Sequence, residues 1–342
     1  HSDAFPHQYS LLSLINELKN GRSMKDYDVF NGDADGICSL LQLRRAESID
    51  SVLVTGVKRD IQLLAQLEVN EGDHVNALDI SMDKNKQDLL RILASGASVF
   101  YCDHHAAGDI PEHPQLQTLV NPAANVCTSL LINGHLEGRY RHWAIVGAFG
   151  DNLKKSAMAI AKTTTLSNTQ ITLLENFGIY INYNGYGASL DDLHFEPTQL
   201  FLLLAHYDDP LDFIDQDAFH FQQLETGYHQ DMQQAQQSEV LRSTSVSAAF
   251  LLPDEKWARR VSGVYGNDLA NLSPDRAHAV LTSRPDGTYL VSVRAPLNNK
   301  QHADTLCTEF PTGGGRRAAA GINALPADQL EKFLDRLDQI YC

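Results

Sequence analysis

Apolar residues fall into two rhythms along this chain. Over the first 150 residues, short apolar runs alternate with stretches whose apolar positions recur every three to four residues. The runs 27–30 (YDVF), 51–57 (SVLVTGV), 74–80 (HVNALDI) and 98–102 (SVFYC) predict strands. The stretches 36–48 (GICSLLQLRRAES), 60–68 (DIQLLAQLE) and 83–96 (DKNKQDLLRILASG) predict helices, the last closing on a glycine suited to a C-cap. Apolar strands alternating with amphipathic helices predict a parallel sheet covered on both faces. Ligands of such sheets gather outside the carboxyl ends of the strands.

From about 155 to 240 the pattern is helical. The run 198–207 (TQLFLLLAHY) predicts a buried segment, and the glutamine-rich, proline-free stretch 219–242 predicts a long connecting helix. Strand signals return at 246–252, 278–283 and 289–295, the last two joined by the turn sequence RPDG at 284–287. Residues 326–341 predict a final amphipathic helix. The fold class expected is α/β: a first unit over 1–215 with a parallel sheet between helices, a helical linker over 216–245, and a smaller α/β unit with a mixed sheet over 246–342.

Charge divides the chain in the same place. With 27 Lys+Arg against 43 Asp+Glu, the net charge is −16, which speaks against non-specific attraction to nucleic acid or anionic lipid. Residues 256–321 nevertheless hold nine basic residues against five acidic ones. An acidic unit suits cations and a basic one suits an anion. No run of about 18 apolar residues predicts a membrane span. Five scattered cysteines read as reduced thiols of a cytoplasmic protein rather than a disulfide framework.

The candidate chemistry sits where the strands end. Asn31-Gly-Asp33-Ala-Asp35 follows the first run, Asp79 the third, and Asp103-His104-His105 the fourth; Asp151 follows a later apolar run. In a parallel sheet the first three groups share one edge. So many carboxylates in a low-dielectric cleft need cations to offset their repulsion. Carboxylate and imidazole without thiolate suit Mn²⁺ or Mg²⁺, with Co²⁺ or Fe²⁺ as alternatives.

In this order the motifs resemble those of the DHH phosphoesterase superfamily: DADG at 33–36, Asp79, DHH at 103–105 and GDN at 150–152. In the C-terminal part, VSVRAP and GGGRRAAAG look like the DHH-associated substrate-binding domain. The resemblance spans most of the chain and reaches single-strand exonucleases, nanoRNases, cyclic-nucleotide and cyclic-dinucleotide phosphodiesterases and, more remotely, polyphosphatases. It implies two divalent cations, usually Mn²⁺: Asp33 and Asp79 holding one, and Asp35, Asp79, His104 and Asp151 the other. It also places His105 against the scissile phosphate, with Asp103 beside it as the second catalytic candidate. Two departures stand out. Many members have a His ligand four residues before the first Asp; that place is Val29 here, so Asn31 or water is expected to fill the gap. The glycine loop is commonly followed by His, and here by Arg316.

In the C-terminal unit, Gly313, Gly314 and Gly315 are expected to bring backbone N–H groups close to an anion, with Arg294, Arg316 and Arg317 gripping phosphate. Small-residue helix packing is the other reading of the glycines and of the AAAG after them. Tyr265, Tyr289 and Phe310 are the candidates for base stacking. The expected substrate is a short oligonucleotide or dinucleotide, or single-stranded ends. The alternatives are short-chain polyphosphate, a cyclic nucleotide, and a catalytically weak nucleotide-binding sensor. A homodimer is left open as the assembly.

Overall fold

The computed structural model describes residues 23–342. Its first sheet comprises β1 (Asp26–Phe30), β2 (Ser51–Val54), β3 (His74–Leu78), β4 (Ser98–Asp103) and β5 (Leu116–Val120). All neighbours are parallel, in the order β2-β1-β3-β4-β5. The chain reverses its direction of sheet growth between β1 and β3, which opens a crevice at their carboxyl ends.

Alternate strand residues separate onto two apolar faces. Phe30, Leu78, Phe100 and Cys102 join a core with α1 (Ala34–Ala46), α3 (Thr128–His135), α4 (Arg141–Gly150), α5 (Lys154–Ala161), α6 (Asn168–Gly185), α7 (Pro197–Leu204) and α8 (Pro210–Gln216). Val29, Ala77, Val99 and Tyr101 join the core on the other face, under α2 (Met82–Ala94). Both faces are therefore covered, as strands apolar on both sides require.

The expected helix at 60–68 is only a 3₁₀ turn at Leu63–Gln66. Its backbone finds partners on α2 instead: Asn85 Oδ1 accepts from the Leu64 N–H at 3.2 Å, and Arg91 donates to the Leu64 and Leu67 carbonyls at 3.0 and 2.9 Å. The long helix expected over 219–242 forms as α9 (Ala218–Ala235), but its last residues become a strand, β6 (Glu239–Ser243).

The second sheet runs β10-β11-β9-β8-β7-β6. Besides β6 it contains β7 (Ser247–Leu252), β8 (Ala277–Ser283), β9 (Tyr289–Arg294), β10 (Gly313–Gly315) and β11 (Ala319–Leu325), with α10 (Lys256–Leu272), α11 (Ala303–Thr308) and α12 (Leu330–Ile340). Only β7 and β8 are parallel, so the sheet is mixed as expected. RPDG makes the β8–β9 turn, with Gly287 at φ 78°. The GGG and AAAG segments form the hairpin of β10 and β11, not a small-residue helix. Gly313 permits that geometry: a Cβ there would lie 1.7 Å from the Cys307 carbonyl oxygen.

Tyr183 and Tyr186 from α6 and its end, Met232 from α9, and Val261, Val264 and Tyr265 from α10 form an apolar core that fastens the second sheet to the helices of the first unit. Among the described residues, no helix is long and apolar enough to cross a membrane.

Candidate metal centre

The carboxyl ends of β1, β3 and β4 converge. After β1 the chain turns into α1 with Asp33 as N-cap, its Oδ1 accepting from the Gly36 N–H at 3.0 Å. A Cβ at Gly36 would lie 2.2 Å from the Asn31 carbonyl oxygen, so the turn demands glycine there. Asp35 lies within the first turn, and its two oxygens accept the Thr128 and Ser129 N–H groups, each at 2.7 Å. Asp79 leaves β3 in the left-handed region, φ 59°, and accepts from the Thr128 hydroxyl at 3.0 Å.

His104 is the hub. Its Nδ1 is 2.8 Å from the Val126 carbonyl, which can only accept, so Nδ1 carries the proton and Nε2 offers its lone pair. Nε2 faces Asp79 Oδ1 at 3.3 Å, Asp35 Oδ2 at 3.7 Å and Asp151 Oδ2 at 3.8 Å. Burial, with Arg316 nearby, holds the imidazole below its ordinary range and therefore neutral. Two triplets, Asp79–His104–His105 and Asp35–His104–Asp151, each present ligand atoms within 4.8 Å of one another. His105 also pairs with Asp103, its Nδ1 2.6 Å from Asp103 Oδ1; the other Asp103 oxygen is buried without a partner.

The electrostatics call for a cation. Burial, then the charges of Asp35, Asp33, Asp103 and Asp151, push the Asp79 carboxyl well above the carboxylate range. Burial would also raise Asp151, but Arg316, His104 and Lys58 outweigh it and bring it to about 2. Burial drives the thiols of Cys38, Cys102 and Cys127 well up, so they stay protonated beside the site. The donor set that remains, carboxylate oxygen and neutral imidazole, fits a divalent cation of the harder kind at Asp35, Asp79, His104 and Asp151.

The Asp33 side of the site is different. Lys58, which follows β2, places its ammonium on Asp33 Oδ2 and donates to Asn182 Oδ1 at 3.0 Å. The Asn31 oxygen accepts the Asp33 N–H at 3.2 Å and its amide donates to the Lys58 carbonyl at 3.1 Å, so Asn31 braces this turn. Val29 is fully buried among apolar neighbours. Asp33 belongs to neither ligand triplet among the described residues.

From the second sheet, Arg316 reaches into the centre. Its Nη1 lies 3.2 Å from His104 Nε2 and its Nη2 3.6 Å from Asp151 Oδ1. Sequence reasoning had Arg316 gripping phosphate from the C-terminal unit; the structure sets its guanidinium against His104 and Asp151 of the candidate centre. Arg317 is exposed. Arg294 uses all five of its N–H donors on Asn267, Ser292, the Val293 and Gly263 carbonyls and the Tyr186 hydroxyl. It is a strut between β9, α10 and the end of α6, with no donor left for phosphate. Gly313 gives its N–H to the Phe310 carbonyl at 3.1 Å, whereas a Cβ at Gly314 would meet open space. Tyr265 and Phe310 are buried in cores, which withdraws them as stacking faces. Tyr186, its ring centroid 5.3 Å from Lys58 Nζ, is an aromatic at the site that the sequence did not single out.

No family model matches the sequence, and no curated protein matches it significantly. Solved structures match the whole fold. A manganese-bound RecJ exonuclease is 15% identical, with TM-score 0.58, covering 96% of this chain and 93% of its own. The pGpG-specific phosphodiesterase PggH of Vibrio cholerae is 15% identical, with TM-score 0.52, covering 92% and 98%. RecJ of Thermus thermophilus with Mn²⁺ is 16% identical, with TM-score 0.54, covering 96% of this chain and 53% of that one. The chain thus has the fold of these proteins, which is the fold implied by the DHH resemblance.

Proposed function

We propose that the chain is a divalent-metal-dependent phosphohydrolase that cleaves phosphodiester bonds of dinucleotides or short oligonucleotides. One observation carries this reading: His104 holds its proton on Nδ1 and aims Nε2 at three carboxylates, while Arg316 from the other sheet lies on the same imidazole. A metal-ligating face and an anion-binding guanidinium therefore share one point, where a phosphate fits. The similar folds include an exonuclease and a phosphodiesterase, which supports the same class.

A divalent cation held by Asp35, Asp79, His104 and Asp151 would lower the pKa of a water and neutralise phosphoryl oxygens. The chain's own residues supply the rest. Arg316 pairs with the non-bridging oxygens of the scissile phosphate and opposes the charge that develops on them. Asp103 holds the proton of His105 on Nδ1, which leaves Nε2 as the atom that can relay a proton: as water adds to phosphorus and the P–O ester bond breaks, a proton given up by that water passes through Nε2 to the leaving oxygen. Arg317, exposed beyond Arg316, suits a second phosphate.

A second reading is short-chain polyphosphate. It is favoured by the burial of Tyr265 and Phe310, which leaves few aromatic faces for bases on the second sheet. An assay with Mn²⁺ over dinucleotides, single-stranded DNA and RNA, cyclic mononucleotides and short polyphosphates separates them. Release of mononucleotides from dinucleotides supports the first reading, and orthophosphate from polyphosphate alone supports the second.

A further inference from the structure

The Asp33 side of the centre is built around a side-chain cation. Lys58 is fixed by five contacts: its N–H donates to the Gly185 carbonyl at 2.8 Å, its carbonyl accepts from Asn31, its ammonium pairs with Asp33 and with Asn182, and the ring of Tyr186 lies beside it. Asn182 and Asp33 are almost fully buried, so the partners of the ammonium are rigid. The end of α6 closes on the same turn, since a Cβ at Gly185 would come within 3.1 Å of Asp33 Cα.

This side also lacks what a metal would need. Val29 has no donor atom, both polar side-chain atoms of Asn31 are engaged, and Asp33 already pairs with the Lys58 ammonium, whereas the Asp35 oxygens accept only neutral N–H groups. An ammonium and a divalent cation repel each other strongly at one carboxylate in a low-dielectric site. The other side keeps a full donor set around His104 Nε2.

We propose that the Lys58 ammonium is the resident charge of the Asp33 side, and that the centre takes up a single divalent cation, at Asp35, Asp79, His104 and Asp151, rather than a pair. The proposal rests on the metal-dependent reading above, but only on its metal site. Lys58 lies next to that site as a fixed positive charge that needs no dissociable ion. A phosphate bridging from the metal toward Asp33 would meet it there.

Counting bound Mn²⁺ tests this without turnover. The wild-type protein, Lys58→Met and Lys58→Arg are titrated with Mn²⁺ by calorimetry, and the bound ion is followed by electron paramagnetic resonance. Wild type and Lys58→Arg are expected to bind one ion per chain with an isolated-ion spectrum. Lys58→Met, with Asp33 released, is expected to bind a second ion and to show a coupled pair. Two ions, or none, in the wild type overturns the proposal. So does a Lys58→Met protein that is folded by near-ultraviolet circular dichroism and still binds one, because the ammonium would then not be what excludes the second. If Lys58→Met does not fold, the wild-type count decides. A chain that binds one Mn²⁺ but cleaves no phosphate ester would defeat the hydrolase reading and leave this one standing.

Discussion

His105 Nδ1 lies 2.6 Å from Asp103 Oδ1, and that carboxylate oxygen also accepts the His104 N–H at 2.8 Å. Burial would raise the Asp103 carboxyl, but His105 outweighs it and holds the group below its ordinary range. The carboxylate is thus charged at neutral pH and fixes the proton of His105 on Nδ1. Removing the imidazole with His105→Ala should cost about 10²–10⁴-fold in kcat, the usual contribution of a positioned acid or base. Asp103→Asn should produce a comparable loss, because an amide can present its N–H to Nδ1 and reverse the tautomer. Steady-state kinetics at saturating Mn²⁺ check both. A kcat within about twofold of wild type for either variant, far short of the loss expected from a positioned acid, would remove the pair from the chemistry.

Asp79 makes the metal-free protein sensitive to pH. Its carboxyl is raised by burial and by four neighbouring carboxylates, so the folded state holds a proton that the unfolded state has lost above its ordinary value of 3.8. More protons bound in the folded state means that stability falls as pH rises from 3.8 through the raised value. Asp151 runs the other way: its contribution is lost as pH falls from 3.8 toward about 2. In chelator at about pH 8, Asp79→Asn should therefore be more stable than wild type, because the amide carries no buried charge there. The gain should vanish near the ordinary carboxylate value, about pH 4. Mn²⁺ should raise the Tm of the wild type far more than that of the variant. Thermal melts across pH, with and without Mn²⁺, measure all three.

Arg316 lies against His104 and Asp151, the candidate metal ligands, so its loss should be felt at the reacting phosphate. A charged hydrogen bond in a desolvated site is worth about 1.5–3 kcal/mol, and Arg316→Ala should lower kcat/KM by about ten- to a hundredfold. Small generic phosphodiesters and dinucleotides should slow alike. Slowing of dinucleotides only would place Arg316 on the part of the substrate away from the scissile phosphate.

Arg294 should matter for stability and not for substrate. Its five donors join β9 and α10 to Tyr186, and Arg294→Ala leaves several of those acceptors unpaired. A loss of about 2–4 kcal/mol is expected from a multiply bonded, partly buried cation. Denaturant melts should show it, while KM stays near wild type under conditions where the variant is folded. An undiminished stability with a raised KM would make Arg294 a phosphate ligand after all.

The parts of this arrangement that could be read in the sequence are those that depend on near neighbours. Apolar runs along 27–30, 74–80 and 98–102 marked the strands, and the acids at their ends then had to meet at one edge. The strand β5 escaped notice because its middle residues are exposed and polar, so it lacks the apolar run of its neighbours. The segment 60–68 has helical periodicity, but Asn85 and Arg91 satisfy its backbone from more than 20 residues away. Lys58 could not be assigned for the same reason: its Asn182 partner lies 124 positions along the chain. Arg294 looked free because its acceptors Tyr186 and Gly263 come from other elements. Motif spacing reports which residues can share an edge, whereas the partners that occupy them are set by tertiary packing.

The most direct test of the phosphodiesterase assignment is the rate of mononucleotide release from a length series, dinucleotide to long single strand, with Mn²⁺ and with chelator. Arg316 from the second unit lies against His104 and Asp151 of the first, so under the proposed reading the substrate meets both units at one point. The expected result is Mn²⁺-dependent cleavage, abolished by chelator, fastest for dinucleotides and falling with length. Failure to cleave any phosphodiester, or cleavage undiminished by chelator, would contradict the assignment. A rate that stays flat out to long strands would contradict the short-substrate part of it.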